Sequence, residues 1–289
     1  MADVVTVPGA TDTRPRRPAA DRATSPVGWV LRVLAVLWVA VLVLVPLVII
    51  LKRAFQPGLS TFFDALADPD AQHAFQVTAV VAGSAVVIDV VFGVAAAVLL
   101  ARYRFPGRRL LSAFIDLPVA VSPIIVGLAL VLVYGPQGWF GDALTDTPLQ
   151  IINAKPGMVL ATVFVSLPMV VRAVEPVLTQ AGTEQEQAAS SLGANAAQRF
   201  VRITLPTIRI ALLYGTVLAI ARCLGEYGAV LIVSGNVAGV SETAPLLIGN
   251  LIDNEQDYDS AYAVASVLVL IALAAIALSA LIRRWGRSR

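Results

Sequence analysis

Four ionisable residues interrupt long apolar runs: Asp89, Asp116, Arg222 and Glu226. An ionised side chain at the centre of a bilayer costs at least about 2.5–3.5 kcal/mol on insertion scales. Each of the four therefore calls for a partner or a task. Arg222 and Glu226 stand four residues apart, which places them on one helix face. Two readings stay open for them: a self-neutralising pair that aids packing, or a pair at a gate or beside a transport path. Asp116 precedes Leu117-Pro118, and Ser122-Pro123 follows shortly. Two prolines in one span remove backbone donors and kink it. The freed carbonyls and Ser122 can line a path, although kinked membrane helices also occur without function.

Bond chemistry finds little to work with. His73 is the sole histidine and Cys223 the sole cysteine. That leaves no zinc ligand set, no intramolecular disulfide and no Ser-His or Cys-His pair. Cys223 lies in an apolar run and reads as a buried small hydrophobe. No GxxxxGK[ST] or GxGxxG pattern is present, so nucleotide binding by this chain is not expected.

The elements that must position these residues are membrane spans. Of 289 residues, 58% are hydrophobic and 14% charged, with mean hydropathy +0.81. Soluble domains carry about 25% charged residues. These values exclude a soluble enzyme, a disordered chain and a nucleic-acid binder. A spanning helix needs about 20 mostly apolar residues. Six runs qualify: Val27 to Leu51, Ala74 to Leu100, Leu110 to Tyr134, Gly157 to Val177, Thr207 to Ser234, and Ala261 to Ile282. Residues 1–26, rich in Pro, Ala, Thr and Arg, read as a disordered cytoplasmic tail. Residues 27–289 read as one all-α, polytopic transmembrane domain.

Charge placement sets the expected topology. With both termini inside, 17 of the 21 basic residues fall in the inner segments and at the termini. Lys52, Arg53 and Lys155 fall in outer loops, and Arg222 lies within a span. That asymmetry predicts cytoplasmic termini by the positive-inside rule. The outer loops are acidic, with Asp64, Asp68, Asp70, Asp142, Asp146, Glu242, Asp253, Glu255, Asp257 and Asp259. Those acids either solvate the loops or attract a basic partner. The tryptophans, mostly near span ends, read as an interfacial belt. His73, in the first outer loop, is expected to be solvated.

Residues 180–206 form a polar inner segment. Thr183 with Glu186 reads as a capping box that starts a helix, and Glu184 and Glu186 suit its dipole. Gly193 ends or bends that helix, and Asn195 with Gln198 starts a second. Pro206 stops it before the fifth span. On periodicity alone an ordinary amphipathic connector remains possible.

The residues of that segment carry a resemblance. Gln187-Ala188-Ala189, then Gly193, then Ile203-Thr204-Leu205-Pro206 is similar to the EAA loop of ABC importer permeases. The spacing matches throughout; the first position is Gln187, with Glu186 just before it. Leu224 to Val230, followed by Ser234-Gly235-Asn236, resembles the sulfate and molybdate permeases. Asp116 to Pro123 and Arg104 to Arg108 are similar to the sulfate/thiosulfate permeases of the CysW type. The resemblance extends from Val27 to the end of the chain.

The resemblance implies a type I importer permease of the bacterial plasma (inner) membrane. A second permease subunit of the CysT type would complete the path. A CysA-type ATPase dimer would dock on a coupling helix carrying Glu186, Gln187, Ala188, Ala189, Gly193, Leu205 and Pro206. A periplasmic or lipid-anchored binding protein would deliver sulfate or thiosulfate. ATP and Mg would belong to the ATPase, leaving this chain without a cofactor and without catalysis of its own. For a dianionic substrate, Asp89 fits a partner on another helix better than contact with the substrate. Ser234 and Asn236 offer donors without negative charge. With Asp116, Ser122, Arg222 and Glu226 they make the candidate path or gate. Gly225, Gly228 and Gly235 permit close backbone approach. The alternative within the class is a molybdate/tungstate permease; a channel, a secondary transporter and a membrane enzyme are the remaining rivals.

Overall fold

The computed structural model describes residues 26–144, 147 and 150–287. The expected tail therefore lies outside the described residues, save Pro26, which opens the first helix. Regular structure among the described residues is entirely helical. The chain divides after Ile49 into two compact units. The first contains most of α1 (Pro26–Phe55), whose apolar window has none of its residues buried.

The second unit is a bundle around α7 (Lys155–Ala181). Against it pack α3 (Pro69–Arg102) and α10 (Leu205–Leu224), while α13 (Tyr258–Arg287) packs on α10. Close approach is achieved with glycine. A Cβ at Gly93 of α3 would lie 2.9 Å from Val170 Cβ, and one at Gly215 of α10 2.9 Å from Ala173 Cβ. Val170 itself is fully buried between them, in a cluster with Val94, Val171, Val174, Leu178 and Ile208. Small residues let helix backbones meet where lipid offers no hydrophobic drive to association.

Shorter helices complete the unit. Asp68 caps α3 by accepting from the N–H groups of Asp70 and Ala71, and α2 (Leu59–Ala67) precedes it. α4 (Arg108–Ala120) and α5 (Pro123–Tyr134) follow α3, then α6 (Gly141–Leu144). α8 (Glu184–Ser191) and α9 (Ala196–Arg199) follow α7. α11 (Gly228–Val233) and α12 (Ala244–Asn250) lie between α10 and α13.

Among the described residues five helices are long and apolar enough to cross a membrane, and α4 with α5 makes a sixth if the bent pair is one span. Two of the expected spans are thereby corrected. The third is broken by 114° at Val121-Ser122 rather than gently kinked. Pro123 occupies the first turn of α5, so Val121 and Ser122 turn extended. The fifth ends at Leu224, because Gly225 to Tyr227 break away before α11. Pro206 does not stop a helix. A π turn at Phe200–Thr204 joins α9 to α10, with Leu205 N–H bonded to Phe200 O, and so absorbs the proline. His73 also departs from expectation, since it lies inside α3 and is half-buried.

Candidate translocation path and coupling segment

The two helix breaks lie side by side. A Cβ at Gly228, where α11 starts, would sit 3.3 Å from Pro123 Cβ, where α5 starts. One at Gly127 would meet Ala229 O and Ile232 Cβ at 2.8 Å, so α5 and α11 interlock. Ser122 is the N-cap residue of α5, but its side chain makes no cap bond. Glu226 stands just before Tyr227, the N-cap residue of α11. Its Oε1 accepts from Ala229 N–H at 3.0 Å, and its Oε2 lies 2.7 Å from Arg222 Nη1. The expected i,i+4 pair thus forms, although Glu226 stands beyond the end of α10 and not on its face. Glu226 is buried, and Arg222 is about one-third exposed.

Asp116 is not drawn into this pair. It lies on α4, half-exposed, where both oxygens accept from Arg172 of α7, one at 2.7 Å from Nε. Arg172 also donates to Glu175 at 2.6 Å and to Ser112 Oγ at 2.8 Å. One guanidinium thus bridges two carboxylates, leaving one negative charge in the triad. Asp89 is fully buried and pairs with another helix as expected: Ser166 Oγ of α7 stands 2.5 Å from its Oδ2.

Ser234 and Asn236 lie at the far end of α11. Ser234 is fully buried, and its Oγ accepts from Asn236 N–H at 3.1 Å. Asn236 donates to Asn250 Oδ1 at 3.1 Å, and Asn250 in turn donates to Glu242. Glu242 is 1% exposed, and burial pushes its carboxyl above the ordinary glutamate range, with Asp70 and Glu255 adding to the rise and the Asn250 bond opposing it. The helix breaks therefore gather Ser122 and the Arg222–Glu226 pair, while Ser234 and Asn236 belong to a second polar cluster with Asn250 and Glu242.

The EAA segment occupies α8, α9 and the π turn. The Thr183–Glu186 capping box does not form, since Thr183 makes no side-chain cap bond. Glu186 points elsewhere. Its Oε1 accepts from Arg102 Nη2 at 3.1 Å and from Thr204 Oγ1 at 2.9 Å. Gln187 instead donates to Thr183 Oγ1 at 2.9 Å. Arg102 also donates to Leu178 O at 2.6 Å, which ties the ends of α3 and α7 to α8. Asn195 and Gln198 form the expected capping box of α9. Gly193 has φ +86°, a left-handed conformation that ends α8 and that glycine adopts without a Cβ clash. Ala188 is exposed and Ala189 half-buried; no residue of α8 is buried, and Leu192 just beyond is 89% exposed. Leu205 packs on the inner core while Pro206 is exposed.

Sequence reasoning missed Arg102, Arg172, Thr204, Ser166 and Asn250 as partners. Arg102 and Arg172 served there only as topology charges. Their position at or inside the apolar helices α3 and α7 was the available signal.

The profile of the family described as "Binding-protein-dependent transport system inner membrane component" matches residues 89–287. The chain is 44% identical over 255 residues to the "Sulfate transport system permease protein CysW" of Synechococcus elongatus, covering 88% of this chain and 89% of that one. It is 43% identical over 257 residues to the CysW protein of Escherichia coli strain K12, covering 88% and 87%. The "Sulfate transport system permease protein CysT" of Salmonella typhimurium is 36% identical, over 88% of this chain and 91% of that one. Among solved structures, a bacterial alginate ABC transporter in complex with its pentasaccharide-bound periplasmic protein aligns with TM-score 0.72. That alignment has 15% identity and covers 93% and 96% of the two chains, a likeness of fold. The chain belongs to the family of binding-protein-dependent transport system inner membrane components and, within it, to the sulfate transport permeases of the CysW type.

Proposed function

We propose that this chain is the permease subunit through which an ATP-driven importer moves sulfate, and thiosulfate, across the bacterial plasma membrane. The observation that carries the reading is the 42–44% identity to CysW sulfate permeases over 88–90% of the chain. A CysT-type permease shares the path, and a periplasmic or lipid-anchored sulfate-binding protein delivers the anion. A CysA-type ATPase dimer receives α8, whose lack of any buried residue supports a partner seated there. Both termini and residues 180–206 face the cytoplasm. The chain itself catalyses no bond chemistry and holds no cofactor; ATP and Mg belong to the ATPase.

The mechanism follows from the two regions described. ATP-driven closure of the ATPase pair displaces α8. Glu186 hands that displacement to α3 through Arg102, and to α10 through Thr204 and the π turn. The bundle then shifts around the adjoining breaks at Ser122 and Glu226. Irregular backbone at membrane depth is tolerated where it lines a cavity or is buried in protein. Donors there give the anion brief, weak contacts and allow release.

The test is uptake of radiolabelled sulfate in cells lacking their own sulfate permeases, with this chain supplied beside its partners. Uptake should require both the binding protein and the ATPase. Thiosulfate should compete at similar concentrations, and molybdate only at much higher ones. Uptake blocked by trace molybdate, or surviving loss of the ATPase, would refute the assignment.

A further inference from the structure

A cavity of about 530 Å³ opens beside the C-terminal end of α3, lined by Arg104, Arg108, Arg109, Ser112 and Glu175 among others. It shares its end of the bundle with α8, because Arg102, two residues before Arg104, bonds Glu186. Three of its lining arginines fall within six positions of the chain. Arg102, Arg172 and Arg222 each hold a carboxylate. Arg104, Arg108 and Arg109 have no ion-pair partner among the described residues. Glu175 cancels only part of that charge: Arg172 is shared between Glu175, at 2.6 Å, and Asp116, so this triad leaves one negative charge against the three arginines.

The floor adds donors. Gly107 leads into α4 with φ +90°, and no side chain caps that 13-residue helix. Arg108 N–H bonds Phe105 O and Leu111 N–H bonds Gly107 O, which leaves the N–H groups of Arg109 and Leu110 beside the lining residues, with the positive end of the helix dipole behind them. Ser112 Oγ, one turn on, accepts from Arg172 and keeps its own hydrogen to donate. Guanidinium forks, free helix N–H groups and a hydroxyl are the donor set that tetrahedral oxyanions select.

We infer that this cavity binds a tetrahedral oxyanion, either the phosphate of an anionic lipid headgroup or free sulfate or phosphate in the adjoining solution. The site is separate from the helix breaks of the proposed path. It rests on the reading above only for its placement on the cytoplasmic side.

The test uses the complete transporter complex, purified in detergent, as wild type and as Arg104→Gln/Arg108→Gln/Arg109→Gln. An Arg283→Gln/Arg284→Gln complex serves as a control for general basic surface. Native mass spectrometry during titration with phosphatidylglycerol and with phosphatidylcholine reads the lipid source. Equilibrium dialysis against labelled sulfate and inorganic phosphate reads the free source. At about fivefold per arginine near an anionic surface, the triple variant should lose roughly a hundredfold in affinity for one of these probes, with the control unchanged. Retention of phosphatidylglycerol over phosphatidylcholine assigns a headgroup; saturable dialysis assigns a free anion. Equal losses in the triple variant and the control, or no retention of any probe by wild type, overturn the inference. Because binding is read directly, the result stands apart from which anion the complex transports.

Discussion

Arg102 Nη2 stands 3.1 Å from Glu186 Oε1, and the two side chains are only 10% and 18% exposed. The bond spans 84 residues of sequence and joins the end of α3 to α8. An exposed ion pair would contribute little, but this one is largely shielded and shared with Thr204. A double-mutant cycle with Arg102→Ala and Glu186→Ala should give a coupling of about 0.5–3 kcal/mol in complex stability. Arg102→Gln should also lower ATP-driven sulfate uptake several-fold at equal complex yield, while ATP hydrolysis persists. Additive single effects with unaltered uptake would show that the contact transmits nothing.

Glu226 holds two jobs at once. It pairs with Arg222 and caps α11 through Ala229 N–H. Glutamine keeps an acceptor for the cap but removes the charge. Glu226→Gln should therefore leave the complex assembled while lowering uptake. Glu226→Ala should weaken assembly as well, because loss of a cap costs about 1 kcal/mol and Arg222 is left unpaired. Sulfate uptake and co-purified subunit yield, measured together, separate the two. Wild-type uptake by the glutamine variant would reduce the pair to a packing device.

The spans and the EAA segment were legible because their signals are local. Long apolar runs mark α3, α7 and α13, and fixed spacing marks Gln187 to Pro206. The prolines around Ser122 announced a kink but not a 114° break, and the break at Gly225 to Tyr227 was not legible, because the surrounding runs stay apolar and hydropathy does not register a turn. Partners were invisible for another reason. Glu186 finds Arg102 and Asp116 finds Arg172 only through packing, 84 and 56 residues away. Asn195–Gln198 formed as read, since both ends of that box lie within one turn.

Helix contact at α7 gives a packing prediction. Gly93 and Gly215 both approach it near Val170 and Ala173, which lie one turn apart. Gly93→Ala and Gly215→Ala each place a methyl about 2.9 Å from existing side-chain carbons. Overpacking of this kind costs about 1–3 kcal/mol. Gly83, with nothing within 4 Å of its Cβ position, is the internal control. Thermal unfolding of the complex should fall for the first two and not for Gly83→Ala. Equal behaviour of all three would contradict the close approach.

Glu242 links the second polar cluster to pH. Burial raises its carboxyl above the ordinary glutamate range. For an acid raised on folding, the stabilising contribution is complete below that ordinary value and is lost as pH rises through the raised one. Glu242→Gln, which still accepts from Asn250, removes the dependence. The melting temperature of the variant should match wild type near pH 4 and exceed it progressively towards pH 8. A difference that stays constant with pH would assign the effect to shape alone.

Asp89 poses a hydrogen count. Ser166 Oγ lies 2.5 Å from Asp89 Oδ2 and 2.7 Å from Thr162 O, yet carries one hydrogen. If Ser166 donates to Thr162, the second contact needs a donor at position 89. An amide supplies one, and it also spares the burial of an unpaired charge, whose cost is large. Asp89→Asn should therefore assemble and transport like wild type. Asp89→Ala removes the partner and leaves a void, and should lower complex yield and melting temperature. Ser166→Ala should do likewise, and combining it with Asp89→Ala should cost less than the sum, since both remove one contact. Loss of assembly in the asparagine variant alone would instead require the ionised carboxylate.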